Sequence, residues 1–183
     1  MGGAGCGRCL PKLSAKGRPE RVVTFDTKHS ATQSPGVALP IEFNEAGDLP
    51  PGIHRGSLSE VLARFGHGSA QRQEVARRLE TIYRLVSNTG QLRRFIVFGS
   101  FITRKAEPND VDVFLVMQDA FDVGHASAQT RQVFEHMAAH DLLGASVFWV
   151  PAAACEGDET AMLEHWQIKR DGSLRGIVEI VPA

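Results

Sequence analysis

The sequence predicts an α/β (α+β) domain in which helices back a small, mixed β-sheet. Apolar residues recur at helical spacing in some segments and form short buried runs in others, in the order helix, strand, strand, helix, strand, helix and terminal hairpin. In a parallel sheet, strands alternate with helices along the chain. Here two strands follow one another directly and a hairpin closes the chain, so we expect a mixed sheet. Hydrophobic residues make up 43% of the 183 residues and charged residues 22%, which are ordinary proportions for a globular domain.

The composition argues against several classes of partner. A formal net charge of -1 offers no attraction of the whole surface to nucleic acid or to anionic lipid. The most apolar long stretch, residues 142–155, is shorter than the about 20 residues that a membrane-spanning helix needs. Three cysteines are an odd number, which disfavours a disulfide framework and favours the reducing cytoplasm. We therefore expect a cytoplasmic protein with no membrane partner, and a nucleic acid partner is disfavoured.

The first 40 residues differ from the remainder of the chain. They hold six Lys or Arg and two acidic residues, and Gly, Pro, Ser and Thr are crowded among them. This composition is typical of a disordered basic tail, so we predict a tail over residues 1–40 and a folded domain over residues 41–183. A translation start further along the chain is an alternative interpretation that the sequence leaves open.

Two pairs of residues have the spacing of zinc ligands. Cys6 and Cys9 lie close together in the tail, and His136 and His140 lie one turn apart on a predicted helix. A structural zinc site needs four ligands, and neither pair is followed by further ligands at usable spacing. We therefore interpret the cysteines as incidental thiols and the histidines as partly exposed helix residues.

Residues 41–56 are predicted to form a loop, because Pro50-Pro51-Gly52 disfavours both a helix and a central strand. A short helix follows as far as Phe65, and either Ser57 or Ser59 can cap its first turn. Neither segment is expected to contribute a strand to the sheet.

A longer helix is predicted from about Ala70 to Asn88. Its apolar residues recur at helical spacing, which places them on one buried stripe: Val75, Leu79, Ile82 and Val86. Four arginines fall off that stripe, and we expect them to form a solvated face with neighbouring glutamates: Arg72, Arg77, Arg78 and Arg84.

The second half of the chain is predicted to alternate short buried strands with helices. The predicted elements are strands over 95–98, about 110–117 and 145–150, helices over about 126–140 and 158–165, and a hairpin over 166–181. Four aromatic residues in these elements are interpreted as core, because no basic residues interleave with them as in a base-stacking surface: Phe134, Phe148, Trp149 and Trp166.

The stretch that carries chemistry lies between the first two strands. Gly99-Ser100 ends one strand, and Asp110 and Asp112 open the next one. Side chains alternate between the faces of a strand, so the two carboxylates point the same way, about 7 Å apart along the backbone. Such a pair can share a hard divalent cation, while the glycine lets backbone approach a ligand and the serine adds a donor. Donors that face metal-holding carboxylates suit a polyphosphate.

This stretch resembles the signature of the DNA polymerase beta-type nucleotidyltransferase superfamily, in which Gly-Ser is followed, after a turn, by Asp-x-Asp at the start of a strand. Within that superfamily the chain is most similar to the minimal bacterial nucleotidyltransferases. Residues 47–54, Gly-Asp-Leu-Pro-Pro-Gly-Ile-His, also resemble the opening of uncharacterised bacterial proteins assigned to this fold. The resemblance is strong over residues 95–117, extends over 41–183 and leaves residues 1–40 unmatched.

The resemblance implies a DNA polymerase beta-like nucleotidyltransferase fold. It also implies Mg²⁺- or Mn²⁺-dependent transfer of a nucleoside monophosphate from a nucleoside triphosphate to a hydroxyl of a protein, an RNA or a small molecule. By position, Gly99 and Ser100 would bind the β- and γ-phosphates, and Asp110 and Asp112 would hold the metal. Proteins that resemble the minimal family often work beside a helical toxin, which makes a toxin or another protein a candidate partner.

Two basic residues between Ser100 and Asp110 are further candidates for nucleotide binding. Arg104 and Lys105 can neutralise phosphate charge, and they are equally consistent with solvated turn cations. The minimal enzymes usually have an Ala-Arg-Gly-type run after Gly-Ser, whereas this chain has Ile102-Thr-Arg-Lys.

The sequence departs from the superfamily in one respect. The superfamily usually has a third carboxylate on a later strand, where it acts as metal ligand and as general base for the acceptor hydroxyl. Here residues 144–150 contain no acid, and Ser146 stands where the aspartate is expected. Glu179, on the last predicted strand, is either a solvent-facing edge residue paired with Arg175 or a catalytic substitute for the missing aspartate.

Two hypotheses about function follow from these residues. The intact Gly-Ser and Asp-x-Asp motifs favour a catalytic nucleotidyltransferase. The missing third acid favours a catalytically weak or inactive binding module of the same fold, such as an antitoxin or a phage-defence partner. A purely structural role for Asp110 and Asp112, at the end of a Pro-Asn turn, is disfavoured by the nearby Gly99-Ser100.

Overall fold

The computed structural model of the chain describes Leu39, residues 42–155 and residues 159–182. By its contacts the chain divides after Pro35 into two units, and the described residues belong to the second, Gly36–Ala183. The predicted tail, with Cys6 and Cys9, lies outside the described residues apart from Leu39, which packs against the hydrophobic core.

The described part of the chain forms a five-stranded sheet: β1 (Ile53–Gly56), β2 (Leu92–Phe98), β3 (Val111–Met117), β4 (Ala145–Pro151) and β5 (Ile177–Ile180). All of these strands except β1 are rich in β-branched or aromatic residues. Their order across the sheet is β1-β5-β2-β3-β4. β2 pairs antiparallel with both β3 and β5, whereas β1 runs parallel to β5 and β3 runs parallel to β4. The predicted mixed α/β class is therefore confirmed.

The described residues form five α-helices: α1 (Leu58–Phe65), α2 (Ala70–Ser87), α3 (Ala128–Phe134), α4 (His136–Leu143) and α5 (Glu159–His165). Ser57 caps α1 in a capping box with Glu60, and the predicted apolar stripe of α2 is fully buried. His136 and His140 are exposed on α4. None of the helices in these ranges combines the length and the hydropathy needed to cross a bilayer.

The sheet separates two layers of apolar side chains. Val97 and Leu115 belong to the layer that α1, α2, α3 and α4 cover. Ile96 and Phe114 belong to the opposite layer, which includes the buried leucine of α5. Because side chains alternate along a strand, Asp112 shares the face of Phe114 and points toward the α5 side of the sheet.

Three predicted elements differ from the structure. Residues 53–56 form an edge strand rather than a loop, because the distant β5 supplies their backbone partners. The single helix predicted over 126–140 is interrupted at Glu135, whose backbone is extended with φ -100° and ψ 110°. The final hairpin closes only at its tip, where Ile168 bridges Leu174, and the chain then pairs with β1 and β2 instead.

Candidate functional site

The loop after β2 brings its glycine against an aspartate of β3. Gly99 has a φ of 82°, and a Cβ added there would lie 1.8 Å from Oδ2 of Asp112. Glycine therefore lets the Asp112 carboxylate lie directly on this backbone. Ser100 begins a short 3₁₀ turn, Ser100–Ile102, and its backbone N–H lowers the pKa of the same carboxylate.

A buried arginine holds this loop in place. Arg72 of α2 donates hydrogen bonds to four backbone carbonyl oxygens, those of Phe65, Phe101, Thr103 and Lys105. The exposed fraction of Arg72 is only 7%, so the prediction that it belongs to a solvated helix face is wrong. Helical periodicity could not identify this role, because three of the four acceptors lie in the loop after β2.

The two aspartates lie together at the beginning of β3. Asp110 immediately precedes the strand, and Asp112 is its second residue and lies across from Ser146 of β4. The Ser146 hydroxyl donates to Oδ2 of Asp110 over 3.4 Å. Burial and the negative charge of Asp110 raise the pKa of Asp112 to about 6, against the opposing influence of Arg175 and Ser146. The structure thus brings Gly99-Ser100 and both aspartates into one patch.

The donor atoms of this patch suit a hard divalent cation. A carboxylate whose pKa is raised by burial and by a second negative charge is stabilised when a cation binds beside it. Mg²⁺ usually binds through one or two carboxylates and completes its octahedral coordination with water and substrate phosphates. Asp110 and Asp112 fit that pattern. Within the described residues, no group of three or more His, Cys, Asp or Glu side chains is placed to hold a metal ion.

The two predicted phosphate-binding cations of the turn lie on the surface. Arg104 and Lys105 are exposed, and the Arg104 guanidinium lies 5.6 Å from the centre of the Phe43 ring. The Arg104 N–H donates to the carbonyl of Gly47 at 2.8 Å. Both residues line a surface cavity of about 330 Å³ together with Thr103. Their role in nucleotide binding stays a prediction, because no described contact joins either side chain to Asp110 or Asp112.

Glu179 lies inside the sheet. Since β5 is an inner strand and the exposed fraction of Glu179 is 7%, the prediction of a solvent-facing edge residue paired with Arg175 is wrong. Its carboxylate accepts hydrogen bonds from Arg55 of β1 and Arg94 of β2. β2 lies between β5 and β3, and Glu179 is offset from Asp112 by two residues along the strands. At standard strand spacing, this arrangement separates the two Cα atoms by about 12 Å. These observations weigh against Glu179 as a third metal-binding carboxylate, and we leave it out of the proposed site.

Replacing Glu179 with Gln is expected to destabilise the protein, because it leaves Arg94 without its buried anion. Breaking such a pair costs about 3 kcal/mol. Burial raises the pKa of Glu179, but the hydrogen bonds from Arg94 and Arg55 outweigh it, so the pKa is lowered overall. A lowered pKa means that the stabilisation is present above the ordinary glutamate pKa and is lost as the pH falls through the lowered value.

Denaturant unfolding of wild type and Glu179→Gln at neutral pH and at a pH of about 3 measures this effect. The difference in the free energy of unfolding should shrink at the acidic pH. Glu164→Gln, at an exposed position of α5, is the control and should change stability by less than about 0.5 kcal/mol. A Glu179→Gln protein that is as stable as wild type at neutral pH would contradict the structural role.

One charged residue near the aspartates was not predicted as part of the site. Arg175 precedes β5 and lies close enough to lower the pKa of Asp112. In sequence, Arg175 is a single arginine before a short apolar strand, and this pattern is too common to indicate a site. Only the pairing of β5 with β2 brings it to this end of the sheet.

Comparison with known proteins identifies a family but no activity. The sequence model of a family described as a family of unknown function (DUF6932) matches residues 41–181, which is most of the chain. No curated protein and no solved structure matches the chain. The function must therefore be argued from the residues of the patch itself.

Proposed function

We propose that this chain, which belongs to the DUF6932 family of unknown function, is a Mg²⁺-dependent nucleotidyltransferase. The proposed reaction moves a nucleoside monophosphate from a nucleoside triphosphate to an acceptor hydroxyl. The observation that carries the proposal is the Asp112 carboxylate, which lies directly on the Gly99-Ser100 backbone with Asp110 beside it. This arrangement combines hydrogen-bond donors with two carboxylates, which is the combination that a metal-bound triphosphate requires.

Each residue has a separate task in this proposal. The close approach permitted by Gly99 and the hydroxyl of Ser100 position the β- and γ-phosphates. Asp110 and Asp112 would hold Mg²⁺, which would neutralise phosphate charge. The acceptor oxygen forms a bond to the α-phosphorus, and the bond from that phosphorus to the β-phosphate oxygen breaks. The electron pair of the broken bond leaves with pyrophosphate, and the acceptor proton passes to water.

The proposed reaction takes place in the cytoplasm, on one of three classes of acceptor. The odd number of cysteines favours a cytoplasmic location. The acceptor hydroxyl is proposed to belong to a protein, an RNA or a small molecule, and a helical toxin, which the resemblance implies as a partner, is the first protein acceptor to test. No step in the proposal depends on which of these acceptors is used.

A second candidate function is metal-dependent nucleotide binding without turnover. The observation that favours it is Ser146, which lies across from Asp112 on β4 where the superfamily usually has a third carboxylate. A serine hydroxyl neither binds Mg²⁺ as a carboxylate does nor accepts the acceptor proton at neutral pH. In this case the protein acts through the complex that it forms with nucleotide.

Nucleotide titration tests the proposed function. The full chain is titrated by calorimetry with each of the four nucleoside triphosphates in the presence of Mg²⁺, Mn²⁺ or a chelator. We expect binding that requires the metal and that Asp110→Asn weakens by about 100-fold or more, since one of two metal-holding carboxylates is lost. Asp141→Asn is the matched control, because its carboxylate is exposed on α4.

Pyrophosphate release and transfer of an α-phosphate label then separate the two candidate functions. Release that requires the metal and disappears in Asp110→Asn supports the transferase. Metal-dependent binding without release, with any acceptor offered, supports the binding protein. Nucleotide binding that does not depend on metal and is unchanged in Asp110→Asn would rule out both.

A further inference from the structure

We infer that Arg175 is a phosphate-binding residue of this site, where its guanidinium contacts the β- and γ-phosphates and neutralises the charge of the departing pyrophosphate. This inference rests on the proposed function. It adds to the site a cation from outside the Gly-Ser and Asp-x-Asp motifs, contributed by the segment that leads into β5.

The strand register brings Arg175 to the correct end of the sheet. In the antiparallel pairing of β2 with β5, Val97 lies opposite Val178. β5 begins at Ile177 and β2 ends at Phe98, so the segment that enters β5 and the loop that leaves β2 meet the sheet at the same end. Arg175 and Ser100 therefore both lie beyond this end of the β2–β5 pair.

The segment that carries Arg175 enters the sheet beside the strand pair that holds Asp112. Ile177, the first residue of β5, packs in the same apolar layer as Phe98, and Phe98 lies opposite Asp112 in the neighbouring pairing. Only β2 lies between β5 and β3, so Arg175 leads into the sheet one strand away from β3. The lowering of the Asp112 pKa by Arg175 agrees with this placement.

The backbone that carries Arg175 is held by contacts on both sides. Its N–H donates to the carbonyl of Gln167 at 2.9 Å, and the N–H of Gly176 donates to the carbonyl of Leu49 at 2.9 Å. A Cβ on Gly176 would lie 2.3 Å from the carbonyl oxygen of Pro50, so the chain passes here in close contact. The arginine side chain therefore projects from a fixed position, which lowers the entropic cost of binding a ligand.

The guanidinium of Arg175 is incompletely satisfied within the described residues, where its Nε is buried and has no hydrogen-bond partner. Lys169, on the same segment, differs in this respect, because its Nζ lies 2.9 Å from Oδ2 of Asp48. A buried donor without a partner costs free energy, and a phosphate oxygen can supply the missing acceptor.

With Mg²⁺ bound, Arg175 gives the site one net positive charge, which favours an anionic ligand such as a triphosphate. The carboxylates of Asp110 and Asp112 together balance one divalent cation, so the guanidinium is the remaining positive charge. A guanidinium presents its N–H donors in a planar fork that fits two phosphate oxygens. Pyrophosphate gains negative charge as it leaves, and a cation at this point favours that step.

Ligands with different numbers of phosphates test the inference. Wild type, Arg175→Gln and Arg175→Lys are titrated with a nucleoside triphosphate that wild type binds, the matching monophosphate, and pyrophosphate, all with Mg²⁺. Arg175→Gln should lose about tenfold or more in affinity for triphosphate and pyrophosphate and change little for the monophosphate. Arg175→Lys retains the charge and should recover part of the loss. Arg170→Gln is the control, because Arg170 is exposed on the same segment.

The outcomes separate this inference from the proposed function. If no nucleoside triphosphate binds wild type with Mg²⁺, the proposed function fails and the inference fails with it. If Asp110→Asn loses triphosphate binding while Arg175→Gln retains it, the inference alone is overturned. Equal losses for triphosphate and monophosphate in both Arg175 variants would indicate a purely structural residue and would also overturn it.

Discussion

Replacing Asp112 with Asn is expected to stabilise the metal-free protein while it removes Mg²⁺-dependent nucleotide binding. Burial and the charge of Asp110 raise the pKa of Asp112 from 3.8 to about 6, which means that the fold disfavours the ionised carboxylate. At neutral pH the wild-type protein carries this unfavourable charge, at a cost of about 1–3 kcal/mol. Asparagine is neutral and has nearly the same size, so the variant avoids that cost.

The sign of the pH dependence follows from the raised pKa. The folded state favours the protonated form of the Asp112 carboxylate. The contribution of Asp112 to wild-type stability therefore falls as the pH rises from about 4 to about 6. The Asp112→Asn protein lacks this fall. Its advantage in stability should therefore be large at neutral pH and nearly absent at a pH of about 4.

Denaturant unfolding in the presence of a chelator, at both pH values, measures the stability of wild type and Asp112→Asn. Calorimetric titration with nucleoside triphosphate and Mg²⁺ measures binding, which we expect to fall by about 100-fold or more. Asp141→Asn should leave both properties unchanged. The assignment of Asp112 to a metal site would be contradicted by a variant that retains metal-dependent binding, or that is less stable than wild type at neutral pH.

Replacing Arg72 with Leu is expected to produce the largest loss of stability. The guanidinium donates to four backbone carbonyls, and its removal leaves buried acceptors in the loop after β2 without partners. Each buried acceptor that loses its partner costs about 1–3 kcal/mol, and partial relaxation of the loop limits the total to about 3–5 kcal/mol. Because this loop continues from Gly99-Ser100, nucleotide binding should weaken as well.

Urea unfolding measures the loss in Arg72→Leu against wild type. Arg77→Leu is the matched control on the same helix, because the Arg77 side chain is 67% exposed and its pair with Glu74 is worth less than about 1 kcal/mol. Arg72→Lys keeps one positive charge but cannot reach all four carbonyls, so it should fall between Arg72→Leu and wild type. Equal stability of Arg72→Leu and Arg77→Leu would refute the role of Arg72 in holding the loop.

Some features of the fold could be predicted from the sequence because local chemistry decides them. The apolar stripe of α2 needs only helical spacing, and the capping of α1 needs only a serine and a glutamate three residues apart. The apolar runs on either side of the Gly-Ser turn predict the two strands that flank it. Their antiparallel pairing then brings Phe98 opposite Asp112, so the two halves of the motif meet across a single strand pair.

The edge strand and the break between α3 and α4 could not be predicted in the same way. β1 follows two prolines and a glycine, and it becomes a strand because β5, far along the chain, pairs with it. The break at Glu135 carries no proline or glycine, so nothing in its local sequence indicates where the helix ends.

The sequence by itself thus determined the mixed α/β class, the helices α1, α2 and α5, and the carboxylate pair with its Gly-Ser turn. The tertiary structure alone decided the surroundings of three charged residues. Arg72 is buried against the loop after β2, Glu179 is held by two arginines, and Arg175 precedes β5 at the end of the sheet where Asp112 lies. The physical reason is that a charged side chain takes its role from the partners that surround it, and here most partners come from segments distant in sequence.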